Sequence, residues 1–243
     1  MPDYPLVYLI FGIPDSGRRE IIFDLITDGV GSELSILYFR PKGETPCGFD
    51  DRIEALENVC KVDWTLNQTK VMHGKIDAAP ELILFLAPGT SDPSDCAEAV
   101  KSWMDHNECQ LGRVITVVHC GFLEEKPDAL SWHKACIHFS DVILLNRRES
   151  NSNRWLNNFK EEFKQECSPA RFILVKKGQV PNPAEILEPE PRRLSLFFDE
   201  LLPIEEDGLK EDEQPEDRRP DKYIERLENG QRAYKIRPIT GFL

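Results

Sequence analysis

Residues Tyr8 to Glu20 read Y-L-I-F-G-I-P-D-S-G-R-R-E: an apolar run ending in a glycine, four residues, a second glycine, and the start of an amphipathic pattern. This spacing predicts a strand that turns sharply into a helix, with Gly12 and Gly17 bracketing the turn. Backbone N–H groups gathered at such a turn, together with the helix N-terminus, form an anion site, which is the plan of the G-x-x-x-x-G-K-[ST] phosphate loop. Two positions depart from that plan. Arg18 stands where the lysine belongs, and Arg19 where a Ser or Thr hydroxyl holds Mg²⁺; a guanidinium has donors only and cannot coordinate a cation. Two adjacent arginines oppose the dipole at a helix start, which favours an anion there over a merely structural turn. Gly12, Asp15, Ser16, Gly17, Arg18 and Arg19 are therefore the candidate phosphate-binding residues.

The rest of the chain alternates short β-branched or aromatic runs with helical patterns, as βαβ units do. Strands are expected near Val7–Phe11, Ile36–Arg40, Leu82–Leu86, Val114–His119, Val142–Asn146 and Phe172–Val175, and helices over Arg18–Thr27, Asp95–Met104, Pro127–Phe139 and Asn153–Glu166. Runs such as V-I-T-V-V and V-I-L-L are apolar throughout, the mark of parallel strands covered on both faces, and ligands of such sheets gather at the carboxyl ends of the strands. Gly12, Pro88-Gly89, His119 and Asn146 all fall there. The expected fold is α/β, a three-layer P-loop NTPase-like domain with a mainly parallel sheet, plus a C-terminal acidic linker and hairpin.

With 243 residues and 40% apolar content, one sizeable core is expected. The formal charge of −13 opposes attraction to nucleic acid or to anionic membranes, so neither is expected as a partner. No apolar run is long enough to span a bilayer, and M-P-D-Y-P lacks the start of a signal peptide, so a cytoplasmic location is expected. The seven cysteines, at 47, 60, 96, 109, 120, 136 and 167, contain no C-x-x-C pair and predict reduced thiols without a zinc site. His119 and Cys120 read as a satisfied buried pair, and His133 and His138 as structural.

Glu205–Asp217 holds eight acidic residues against one Lys, too little apolar surface to order by itself. Beyond it, Tyr223 to Ile236 places Asn229-Gly230 between two alternating runs, a hairpin signal. An isolated hairpin is marginal, so this one is expected to dock on the main domain or on an unidentified protein partner. The expected divisions are residues 1–190, a linker over 191–217 and a hairpin segment over 218–243.

Four segments in one order resemble the CobW-like members of the CobW/HypB/UreG family of P-loop GTPases. After the loop, Glu81 to Pro93 is similar to the family's strand ending in E-x-x-G and A-D-P, with Gly89, Asp92 and Pro93 matching and Leu86 at the glutamate position. Val114-Ile-Thr-Val-Val-His-Cys120 is similar to V-x-x-V-V-D-A, with His119 in place of Asp. Ser140 to Glu149 resembles the guanine-reading A-D-x-x-L-L-N-K-x-D, with Asn146 kept, Arg147 for Lys and Glu149 for Asp. Gly178 to Leu187 resembles the closing G-x-V-x-P-x-x-L-L stretch.

The resemblance implies a GTPase-like domain over residues 1–190, GTP or GDP as ligand, and Asn146, Arg147 and Glu149 at the guanine. The departures argue against turnover: both metal-holding positions, 19 and 86, lack an oxygen ligand, so Mg²⁺ is doubtful and no catalytic residue is assigned. Only Cys60 stands where the family carries a metal-binding C-x-C-C, so no metal site is assigned. Two functions fit: a degenerate nucleotide-binding regulator or metallochaperone-like factor with little or no hydrolysis, and a noncatalytic protein–protein adaptor on the same scaffold.

Overall fold

A computed structural model describes residues 4–199 and 221–243. Its strands are β1 (Leu6–Phe11), β2 (Ile36–Pro41), β3 (Val59–Asn67), β4 (Lys70–His73), β5 (Leu82–Leu86), β6 (Gln110–His119), β7 (Val142–Asn146) and β8 (Arg171–Leu174). Its α-helices are α1 (Arg18–Gly29), α2 (Gly48–Glu54), α3 (Pro93–His106), α4 (Cys120–Glu125), α5 (Leu130–His138), α6 (Asn153–Gln165) and α7 (Pro183–Leu187). The strands form one sheet in the order β4-β3-β2-β5-β1-β6-β7-β8. Every pairing is parallel except that of β4 along β3.

Alternation along the central strands builds a core on each side of the sheet. Val7, Leu9 and Phe11 of β1 face a layer made by α3, α4, α5 and α6, whereas Tyr8 and Ile10 face α1, α2 and α7. β5 and β7 are buried along their whole length, as their unbroken apolar sequences require. α6 seats Leu156, Phe159 and Phe163 on the sheet, three residues whose three- and four-residue steps place them on one face. Each such side chain contributes roughly 1.5–3 kcal/mol by leaving water.

Five elements lie outside the expected set: β3, β4, α2, α4 and α7. β3 reads V-C-K-V-D-W-T-L-N and buries only Trp64, because it lies near the sheet edge with one face open. β4 is shorter still, and α2 is a short helix between β2 and β3. The stretch expected as one helix over Pro127–Phe139 divides into a 3-10 turn at Pro127–Ala129 and α5.

Residues 191–199, grouped with the linker by composition, pack on the domain: the Arg193 guanidinium pairs with buried Asp141 at 2.9 Å, and Phe198 is buried. The acidic run Glu205–Asp217 lies outside the described residues. From residue 221 the chain docks on the α3–α6 side, burying Tyr223 and Ile239 in that core. Asp221 accepts from His138 and Ser195, and Arg232 pairs with Asp95 at 2.8 Å and Glu98 at 2.6 Å on α3. Asn229-Gly230 forms a tight turn closed by a single antiparallel bridge, Arg226 to Arg232. No helix among the described residues is long and apolar enough to cross a membrane.

Candidate functional site

The candidate site lies where β1 hands over to α1. Gly12 has φ 141°, Asp15 φ 63° and Gly17 φ 88°, so the loop turns three times through backbone conformations that disfavour side chains. A Cβ on Gly12 would lie 2.6 Å from the Val117 carbonyl of β6, and one on Gly17 would overlap the Asn146 amide. Gly17 is the residue before the first turn of α1, and its carbonyl accepts from Ile21 at 3.0 Å. Ser16 is buried and its Oγ has no partner among the described residues.

The end of β7 holds this loop from behind. Asn146, 2% exposed, donates Nδ2–H to the Ser16 carbonyl at 2.8 Å. Arg147, at φ 49°, reaches forward to Glu20 on α1 at 2.9 Å. Glu149 is exposed and does not line the cavity in front of the loop. Of the three residues assigned to guanine, two thus adjoin the loop, and the Asn146 amide is engaged with the backbone.

The two arginines point toward the loop after β2. Arg18 is buried; it donates to the Ala87 carbonyl at 2.6 Å and to both oxygens of Glu44 at 2.8 and 2.9 Å. Arg19 donates to Glu44 at 2.9 Å and to the Thr45 carbonyl at 2.7 Å, and lies 3.3 Å from Asp50. The Gly89 N–H completes the cluster, donating to Glu44 Oε1 at 2.6 Å. A cavity of about 530 Å³ opens between the glycine loop and the 43–49 segment, lined in part by Asp15, Gly17, Arg19, Glu44, Phe49 and Arg147.

Glu44 was not among the residues singled out by motif, and neither were Glu20 and Asp50. The signal was indirect. Two arginines at a loop bordered by apolar strands need acceptors when they are buried, and a neighbouring strand-end loop, here K-G-E-T-P, is the place for one.

The positions that hold Mg²⁺ in the phosphate-loop plan carry no free oxygen ligand here. Arg19 has no oxygen to offer, Leu86 is packed in the core, and Glu44 is committed to guanidinium groups. Asp92 caps α3 by accepting from the Ser94 N–H at 2.8 Å, and burial raises its pKa. His119 accepts the Phe122 N–H on Nδ1 at 3.0 Å, and burial together with the nearby Arg147 charge lowers its pKa, which favours the neutral ring. Cys120 is buried, its thiol pushed up to about 12 by desolvation. Cys60 is exposed, and no group of three or more metal-ligating side chains is present among the described residues.

The fold and its glycine loop make the chain an α/β protein of the P-loop NTPase-like type. No protein-family model matches the sequence, and no curated protein matches it. Two solved structures follow a similar chain path: a zinc-bound triple mutant of the YjiA GTPase, with a TM-score of 0.47, and zinc-bound YjiA GTPase from E. coli, with a TM-score of 0.43. Each is 12% identical over 77% of this chain, and the chain spans 66% of their length.

Proposed function

We propose that this chain is a degenerate CobW-like GTP-binding protein, a regulator or metallochaperone-like factor with little or no hydrolysis. The observation that carries this reading is the loop itself: Gly12, Asp15 and Gly17 at positive φ, wrapped at the start of α1 and braced by Asn146. Phosphate oxygens would be held by the backbone N–H groups of Asp15–Arg19 and by the Arg18 and Arg19 guanidinium groups, which pair bidentately with such oxygens. Arg147 would border the base. Side-chain charge thereby replaces the metal in neutralising phosphate. It does not replace the metal in organising an in-line attack, which is why binding without turnover is expected.

The adaptor reading has its own support. Arg18, Arg19 and Arg147 are all paired within the chain, so the site is already neutralised. Calorimetric titration of nucleotide-stripped protein with GTP, GDP and ATP, with and without Mg²⁺, separates the two. Saturable binding of a guanine nucleotide, little changed by Mg²⁺, supports the first reading; no heat with any of the three supports the adaptor.

A further inference from the structure

We propose that Glu44 is the built-in occupant of an anion subsite, and that a phosphate-bearing ligand enters by displacing it; the inference rests on the nucleotide-binding reading above. Three independent sources of N–H converge on this one carboxylate: the Gly89 amide at 2.6 Å, Arg18 at 2.8 and 2.9 Å, and Arg19 at 2.9 Å. A backbone amide between two guanidinium groups is the donor set that recognises phosphoryl oxygens. The arrangement demands an anion. The Arg18 side chain is 3% exposed, and a cation at that depth without a partner is strongly destabilising. Gly89 permits the approach, since a Cβ there would lie 2.7 Å from Arg18 Nη2.

The carboxylate is also placed to leave. It rides on the connection between β2 and α2, where Lys42, Gly43, Thr45, Pro46 and Cys47 are all exposed. Apart from the Glu44 carboxylate, that connection is held by Lys42 N–H to the Trp64 carbonyl at 2.9 Å, Glu44 N–H to the Pro41 carbonyl at 3.4 Å, the Arg19 contact to the Thr45 carbonyl, and, at its far end, the Cys47 N–H to Asp50 at 2.7 Å and the Asp50 N–H to the Cys47 carbonyl at 2.9 Å. Moving it would widen the cavity in front of the glycine loop. The ligand class is a phosphate or diphosphate group, alone or as part of a nucleotide. A site open for only a fraction of the time binds with its intrinsic affinity multiplied by that fraction, so Glu44 sets the apparent affinity.

The test is calorimetric titration of full-length wild type and Glu44→Gln with inorganic pyrophosphate and, separately, with GTP, both without Mg²⁺. The proposal expects pyrophosphate to bind Glu44→Gln at least about tenfold more tightly than wild type. Arg18→Ala added to that variant should abolish the gain. Equal pyrophosphate affinity in the two proteins overturns the proposal, and if both then bind GTP the nucleotide reading survives alone. A gain for pyrophosphate with no GTP binding by either protein supports the subsite and defeats the nucleotide reading. Should Glu44→Gln not fold, amide hydrogen exchange on wild type decides: saturating pyrophosphate should speed exchange over residues 42–47, and unchanged or slowed exchange overturns the proposal.

Discussion

Replacing Gly17 by Ala tests the link between the glycine loop and β7. The residue sits at φ 88°, and holding alanine in left-handed backbone costs about 1–2 kcal/mol. The new methyl also overlaps the Asn146 amide, which must swing away from the Ser16 carbonyl it now bonds at 2.8 Å. Both groups are buried, and leaving such a pair unsatisfied costs about 1–3 kcal/mol. The sum is roughly 2–5 kcal/mol, which at ~2–4 °C per kcal/mol for a chain of this size lowers Tm by several degrees to as much as about 20 °C. Urea denaturation of the double-mutant cycle with Asn146→Ala isolates the steric part. In the Asn146→Ala background the Gly17→Ala cost should fall to the backbone share, giving a coupling of roughly 1–3 kcal/mol. The same cost in both backgrounds, or a loss below about 0.5 kcal/mol in wild type, refutes the geometry argued for the loop.

Multiple-turnover GTPase and ATPase rates should match a buffer control, because positions 19 and 86 offer no oxygen to Mg²⁺; hydrolysis that survives further purification would show another residue holding the metal. His133 is fully buried with its pKa lowered to about 4 by desolvation, so the unfolded chain takes up its proton first as pH falls. Its contribution is present above the unfolded pKa near 6.5 and is lost between there and about 4, on the order of 3 kcal/mol in all. Urea melts from pH 7 to 4.5 should therefore slope less steeply for His133→Gln than for wild type, and parallel slopes would dismiss the assignment. Arg232→Ala removes the contacts to Asp95 and Glu98 and should cost about 1.5–3 kcal/mol of docking. Amide exchange over 221–243 should accelerate while the sheet stays protected; unchanged exchange would mean that Tyr223 and Ile239 hold the segment unaided.

The strands that carry the site were legible because burial on both faces leaves an unambiguous apolar run: V-I-T-V-V and V-I-L-L appear as buried stretches of β6 and β7. β3 and β4 were passed over for different reasons: β3 alternates Val62, Trp64 and Leu66 with Lys61, Asp63 and Thr65, a one-face pattern that a search for unbroken apolar runs misses, and β4 at the sheet edge has only four residues. The loop was legible from Gly12 and Gly17, whose spacing is a backbone requirement. The partners of its arginines were not, because Glu44 meets Arg18 across 26 positions and only the packing of β1 and β2 on either side of β5 brings the loops after them together. The docking of the C-terminal segment was open for the same reason. Asn229-Gly230 announces a turn, but which surface Arg232 meets depends on α3 presenting Asp95 and Glu98 on one face.

Binding of a guanine nucleotide by the glycine loop can be read from amide NMR spectra of ¹⁵N-labelled protein recorded while GTP is added without Mg²⁺. Saturable shifts are expected on the amides of Gly12 to Arg19, on Gly89 and on the 42–47 connection, with α5, α6 and the 221–243 segment still. Spectra that do not change at millimolar GTP, or shifts that gather away from the loop, would contradict such binding.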